Sequence, residues 1–190
     1  EYSAETDVKI TSIEKTKELM NSLPFPLTEG DFNKNTFGQK DVLNDIVIDM
    51  MDGKRVNALV QGDVGCGKTI VALLLSLVVV ENGYQSVILA PTGVLAHQHY
   101  EEFSKYLEPL GIKIGFLASD VKKSEQNKII KAVNNGEIDV LVGTHSVLND
   151  KIEYKNLGLA VCDEEHKFGV KERQKLGFSN VHKISMSATP

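Results

Sequence analysis

Gly62-Asp63-Val64-Gly65-Cys66-Gly67-Lys68-Thr69 is the stretch on which the fold turns, because it matches G-x-x-x-x-G-K-[ST] at every fixed position. Glycines let the backbone curl round a phosphate with several N–H groups pointing inward. The positive end of the helix that follows adds to the attraction. In such a loop Gly62, Asp63, Val64, Gly65, Cys66 and Gly67 supply the cradle, Lys68 reaches the β- and γ-phosphates, and the Thr69 hydroxyl is a ligand for Mg²⁺. A chance glycine-rich turn would need no particular neighbours. Here Val56 to Gln61 reads as a strand leading directly in, and Lys68 to Glu81 has the length of the helix leading out. The run Val78-Val79-Val80 is a poor helix former, so that helix is assigned on the strength of the loop before it.

Outward from the loop, β-branched runs alternate with helical stretches. Ser86 to Ala90, Ile112 to Leu117, Asp139 to Gly143, Leu157 to Cys162 and Lys183 to Met186 read as further strands. Gln39 to Met51, Val94 to Leu107 and Lys122 to Asn134 read as helices. Such alternation implies an α/β fold, a mostly parallel sheet with helices on both faces. Residues 1–27 read as an N-terminal connector and 28–190 as the main domain. In the connector, Thr11-Ser12-Ile13-Glu14 has the form of a capping box, with Ile13, Thr16, Met20 and Leu23 at helical spacing before Pro24 and Pro26. Thr28 to Gly38 is polar, Asn- and Gly-bearing loop sequence.

A nucleotide site needs acid opposite the loop. Leu159-Ala160-Val161-Cys162 runs into Asp163-Glu164-Glu165-His166, a strand ending in carboxylates. Asp163 is placed to hold Mg²⁺ and Glu164 to orient and deprotonate an attacking water. A metal site or an exposed acidic turn is the competing reading of the same four residues.

Composition narrows the partners. The chain has 190 residues, 42% hydrophobic and 25% charged, with a formal net charge of −5. That is ordinary for a soluble globular protein and gives no basic footprint, so any nucleic-acid contact is local or shared with other parts of a larger protein. The longest apolar run, Ile70 to Val80, is broken by Ser76 and is too short to span a bilayer. Cys66 and Cys162 lack partners at metal-ligand spacing and read as reduced thiols of a cytoplasmic protein. With no Met at Glu1 and no tail after Pro190, the chain reads as a fragment. Arg55 and Arg173 are its only arginines, few for a nucleotide kinase, and no Asn-Lys-x-Asp guanine-reading string is present.

The family then shows in a series of motifs in order. These are Leu59 to Thr69, Ala90-Pro91-Thr92, Leu95-Ala96-His97-Gln98-His99-Tyr100, Gly143-Thr144-His145, Asp163 to Val170, and Ser187-Ala188-Thr189-Pro190. Together they resemble the first motor domain of RecG-type ATP-dependent DNA helicases of superfamily two. The transcription-repair coupling factors are close relatives. Leu23 to Thr28 and Gln61 lean toward the RecG type, whereas Glu165 and, less clearly, Lys171-Glu172 lean toward the coupling factors.

The resemblance implies a RecA-like three-layer α/β/α sandwich that uses ATP and Mg²⁺, acts on branched or forked DNA, and works with a second RecA-like domain. It implies that Gln39 reads adenine, which a carboxamide can do by pairing with a donor and an acceptor on the base edge. It implies that His166 couples the γ-phosphate site to Ser187, Ala188 and Thr189. Pro91, Thr92, Gln98, Thr144 and His145 fall where the family tracks DNA phosphates. His97 and His99 read as surface or packing residues. The sequence departs from the family at Asp31 to Gly38, an apparent insertion that leaves open whether Thr28 or Thr36 pairs with Gln39. Gly93 also stands where Glu is common, and Ala118-Ser119-Asp120 lacks the usual glycine. A P-loop phosphotransferase and a non-catalytic binding module are the alternatives from other classes.

Overall fold

Parallel pairing of six short strands organises the described residues. The computed structural model describes residues 6–30, 38–61, 67–164 and 181–187. In chain order the strands are β1 (Asn57–Gln61), β2 (Gln85–Leu89), β3 (Ile114–Leu117), β4 (Val140–Gly143), β5 (Leu157–Asp163) and β6 (His182–Ser187). The helices are α1 (Glu14–Ser22), α2 (Gln39–Met51), α3 (Lys68–Glu81), α4 (Gly93–Leu107) and α5 (Lys123–Asn134). The sheet order is β1-β6-β5-β2-β4-β3, and every described pair is parallel.

Period-two alternation divides the core between two faces of the sheet. Ile88, Val140, Val142, Leu159, Val161, Ile184 and Met186 join one apolar cluster with residues of α2, α3 and α4. Val87, Leu89, Leu141, Ala160 and Cys162 join a second with Ile130 and Val133 of α5. The result is the expected α/β/α sandwich. Helix α3 is buried along its whole length from Ile70 to Val79. That explains why Val78 and Val79 remain helical against their propensity: each fully buried apolar side chain contributes roughly 1.5–3 kcal/mol, more than the few tenths that a β-branched residue costs a helix. Inside this helix the Ser76 hydroxyl is paired with that of Ser86 on β2 at 2.9 Å.

The capping box expected at Thr11 does not form. Helix α1 begins at Glu14 with no side-chain cap of its own. Thr11 gives its N–H to Asn82 Oδ1 at 2.9 Å instead. The carboxylate of Glu81, at the end of α3, takes the N–H groups of Lys15 (3.4 Å) and Thr16 (3.0 Å) and the Thr16 hydroxyl (2.7 Å). An acid from a neighbouring helix thus satisfies the donors of the first turn and suits the positive helix end. Cys162 is buried in the second cluster, and no helix among the described residues is long and apolar enough to cross a membrane.

Candidate functional site

Parallel strands all end at one edge of a sheet, and in open α/β sheets that carboxyl edge is where ligands bind. Read across the order, the edge presents Gln61 of β1, Ser187 of β6, Asp163 and Glu164 after β5, Pro91 and Thr92 after β2, then Thr144 and His145 after β4. From β1 to β5 is two strand spacings, roughly 10 Å. Lys68 and Thr69, the first residues of α3, start beside this edge.

Glu164 is the one residue other than glycine with positive φ among the described residues, at 51°. Its N–H still bonds to Met186 O at 2.8 Å, so the β5–β6 ladder continues up to it. Strand alternation alone would send Glu164 to the face of Ala160 and Cys162. The left-handed turn instead leaves its Oε1 3.9 Å from Lys68 Nζ, with both side chains nearly buried. Such a conformation costs about 1–3 kcal/mol and is characteristic of functional positions. It brings together two residues that are 96 positions apart in sequence (164 minus 68).

Asp163 keeps the strand's alternation and so shares the face of Leu159 and Val161, the face on which α3 and α4 pack. It is buried, and its Oδ2 accepts a hydrogen bond from His99 Nε2 at 2.7 Å. His99 is equally buried, on the inward stripe of α4 that also carries Ala96, Phe103 and Leu107. The packing reading of His99 is therefore incomplete. A histidine at i+3 from Ala96 and i−4 from Phe103 lies on the apolar stripe, and a buried imidazole needs a polar partner. His97, by contrast, is exposed and stacked on Phe116 with centroids 4.3 Å apart.

Gly67 has φ 74°, the left-handed region that favours glycine, and a Cβ there would run into the side-chain amide of Gln39. Gln39 Nε2 donates to Gly67 O at 3.1 Å, and its Oε1 accepts the Thr28 N–H at 3.0 Å. Thr28 Oγ1 in turn accepts the Gln39 N–H at 2.9 Å. Thr28 is thus the threonine that pairs with Gln39 among the described residues. Lys40 N–H also reaches Thr28 O at 3.0 Å, so the chain leaves and returns at one point across the extra loop. At its base Asp41 Oδ2 accepts N–H groups from Gly38 (2.9 Å) and Gly30 (2.6 Å), which hold the Asp41 carboxyl below its ordinary value.

The second half of the edge is quieter. Ala90 N–H bonds to Gly143 O at 2.9 Å, which sets Pro91-Thr92 beside Thr144-His145. Thr92 caps α4, its Oγ1 accepting the Leu95 N–H at 3.3 Å. Thr92, Gln98 and His145 are exposed and Pro91 is half-buried. Thr144 is buried with a hydroxyl that has no partner among the described residues. Gly62, Asp63, Val64, Gly65 and Cys66, and likewise Glu165, His166, Ala188 and Thr189, lie outside the described residues. No group of three or more His, Cys, Asp or Glu residues suited to a metal occurs among those described.

Comparison with known proteins shows the family. Residues 36–190 match the family model for the DEAD/DEAH box helicase. The chain is 40% identical, over its whole length, to the ATP-dependent DNA helicase RecG of Aquifex aeolicus, covering 24% of that protein. It is 45% identical over 82% of its length to the transcription-repair-coupling factor of Helicobacter pylori J99, covering 16% of it. The solved structure of RecG bound to a three-way DNA junction superposes with a TM-score of 0.81 at 36% identity, covering 97% of this chain and 24% of that one. The chain therefore spans about a quarter of the length of the RecG relatives it matches.

Proposed function

This chain belongs to the DEAD/DEAH box helicase family, and we propose that it is the first, ATP-binding motor domain of a RecG-type ATP-dependent DNA helicase or translocase. It would act on branched DNA in recombination and repair, in the cytoplasm, with residues 1–27 as a connector and a second RecA-like domain elsewhere in the full protein. The observation that carries this reading is the approach of Lys68 to Glu164, which puts the phosphate-loop lysine and the acidic strand end at one site.

In this reading the loop of Gly62 to Gly67 cradles the phosphates, Lys68 neutralises the β- and γ-oxygens, and Glu164 orients and deprotonates the attacking water. Thr69 and Asp163 are hard oxygen donors on one face of the sheet, a set that fits Mg²⁺ held mainly by water and nucleotide. Bound there, Mg²⁺ supplies further neutralisation of phosphate charge. Gln39 reads adenine once its amide leaves Gly67 O. His166 couples the γ-phosphate to Ser187, Ala188 and Thr189. Pro91, Thr92, Gln98, Thr144 and His145 contact DNA phosphates, which selects shape and not base sequence. Arg55 stands at the opposite end of β1, about 20 Å along the strand from the loop, too far to serve as the arginine finger.

The test is the full-length protein with γ-labelled ATP and forked DNA. Labelled phosphate should appear free in water. Glu164→Gln should lose about 100-fold or more of turnover while nucleotide affinity stays within a few-fold. Label on a small-molecule acceptor would make it a phosphotransferase, and unchanged turnover in the variant would make it a binding module. The 45% identity to the coupling factor supports a second reading, a translocase that pushes RNA polymerase. A flanking polymerase-binding domain would favour it, and an oligonucleotide-binding wedge the RecG type.

A further inference from the structure

His99 has no part in the scheme above, yet it makes the one side-chain hydrogen bond to Asp163 among the described residues. From this contact we propose that His99 is a positioning residue for Mg²⁺ binding: it fixes the Asp163 carboxylate against α4, with Oδ2 occupied and Oδ1 left to the cation. The proposal rests on the ATP-motor reading and deepens it.

Three observations bear on it. The contact is short, 2.7 Å, and both side chains are buried, so the imidazole N–H has little access to water as a substitute partner. The carboxylate sits at the last residue of β5, with the left-handed Glu164 following at once; the strand sets the face it takes but not its rotamer. The imidazole is itself held rigidly. Its helix is anchored by Ala96, Phe103 and Leu107, all fully buried, and α4 is capped by Thr92 two turns earlier. A carboxylate that is a cation ligand gains affinity when its rotamer is set in advance. Removal of such an outer partner costs about 10–100-fold in metal affinity. A merely structural histidine would stabilise the fold without distinguishing the metal-loaded state.

The experiment uses the full-length protein with a fluorescent ATP analogue, titrated in EDTA and in increasing Mg²⁺, beside DNA-stimulated ATPase and thermal unfolding. His99→Leu keeps bulk and removes the donor. His99→Gln returns an N–H near the position of Nε2. We expect His99→Leu to raise the Mg²⁺ concentration for half-maximal nucleotide tightening and for half-maximal ATPase by about 10-fold or more. Affinity in EDTA should stay within twofold, and His99→Gln should recover most of the Mg²⁺ response. The proposal is overturned if His99→Leu keeps the wild-type Mg²⁺ dependence, or if it weakens binding equally with and without Mg²⁺. It is equally overturned if both variants fall in Mg²⁺ response only in step with lost thermal stability. Failure of the motor reading has a different signature: the wild-type protein itself would show no Mg²⁺-dependent nucleotide binding, and Lys68→Ala would match it.

Discussion

Gly67 and Gln39 show how tightly single residues are fitted at the exit of the phosphate loop. A methyl group on Gly67 meets two penalties at once, the left-handed backbone (φ 74°) and collision with the Gln39 amide. The backbone penalty alone is about 1–2 kcal/mol. Gly67→Ala should therefore lower the melting temperature by a few degrees and weaken ATP binding by about 10-fold or more. Because Gln39→Ala makes room for the new methyl group, the double variant should be less impaired than the sum of the two singles. Additive losses, read by thermal melts and nucleotide titration, would show that the two side chains do not press on each other. The same scale explains what sequence reading could reach. Lys68 and Glu164 were legible because motif spacing names them. The Gln39–Gly67 bond and the His99–Asp163 bond were not, since each joins elements far apart in the chain and no spacing encodes the pair. For His99 the available signal was weaker, a polar residue on the inward stripe of α4.

At the scale of elements, strand β6 carries a titration that links pH to stability. His182, its first residue, is wholly buried, and its Nδ1 accepts the Val56 N–H at 3.0 Å just before β1. Burial first, and then the neighbouring Arg55 charge, lower its pKa from 6.5 to about 4. Between those values the unfolded chain takes up a proton that the folded chain refuses, so the unfolded state is favoured as pH falls. The stability from a neutral His182 is fully present above pH 6.5. It declines toward pH 4 by at most about 1.4 kcal/mol per pH unit. His182→Asn keeps an acceptor for Val56 and does not titrate. Its urea midpoint should fall less than the wild type's from pH 6.5 to pH 4. Parallel curves for the two proteins would exclude His182 as the cause. Elements were also where sequence reading went furthest. Helices α2 and α3 have the expected ends, and each strand lies within two residues of its expected start, because hydrophobic period and loop chemistry are local. The start of α1 was misread, because Thr11 and the first-turn donors found partners in Asn82 and Glu81, residues some 70 positions away that no local capping rule weighs.

At the scale of the whole molecule, two tasks are divided along the carboxyl edge by strand order in the proposed reading. Nucleotide candidates occupy the ends of β1, β6 and β5, and DNA candidates the ends of β2 and β4. The net charge of −5 leaves little general attraction for DNA, so in the proposed reading contact depends on the few groups at that second half. Gln98 and His145 are exposed there, beside the exposed start of α4. Replacing both with Ala in the full-length protein should weaken binding to forked DNA by about 30-fold, at roughly 1 kcal/mol for each lost hydrogen bond. Nucleotide affinity without DNA should stay within twofold, since neither residue lies at the β1–β6–β5 end. The double variant removes no Lys or Arg, so the slope of log affinity against log salt should change by less than about one. Lys68→Ala should give the reverse pattern, lost nucleotide binding with DNA affinity kept. If the double variant lost nucleotide binding in proportion to DNA binding, the two halves of the edge would be one site, and the division of labour by strand order would be wrong.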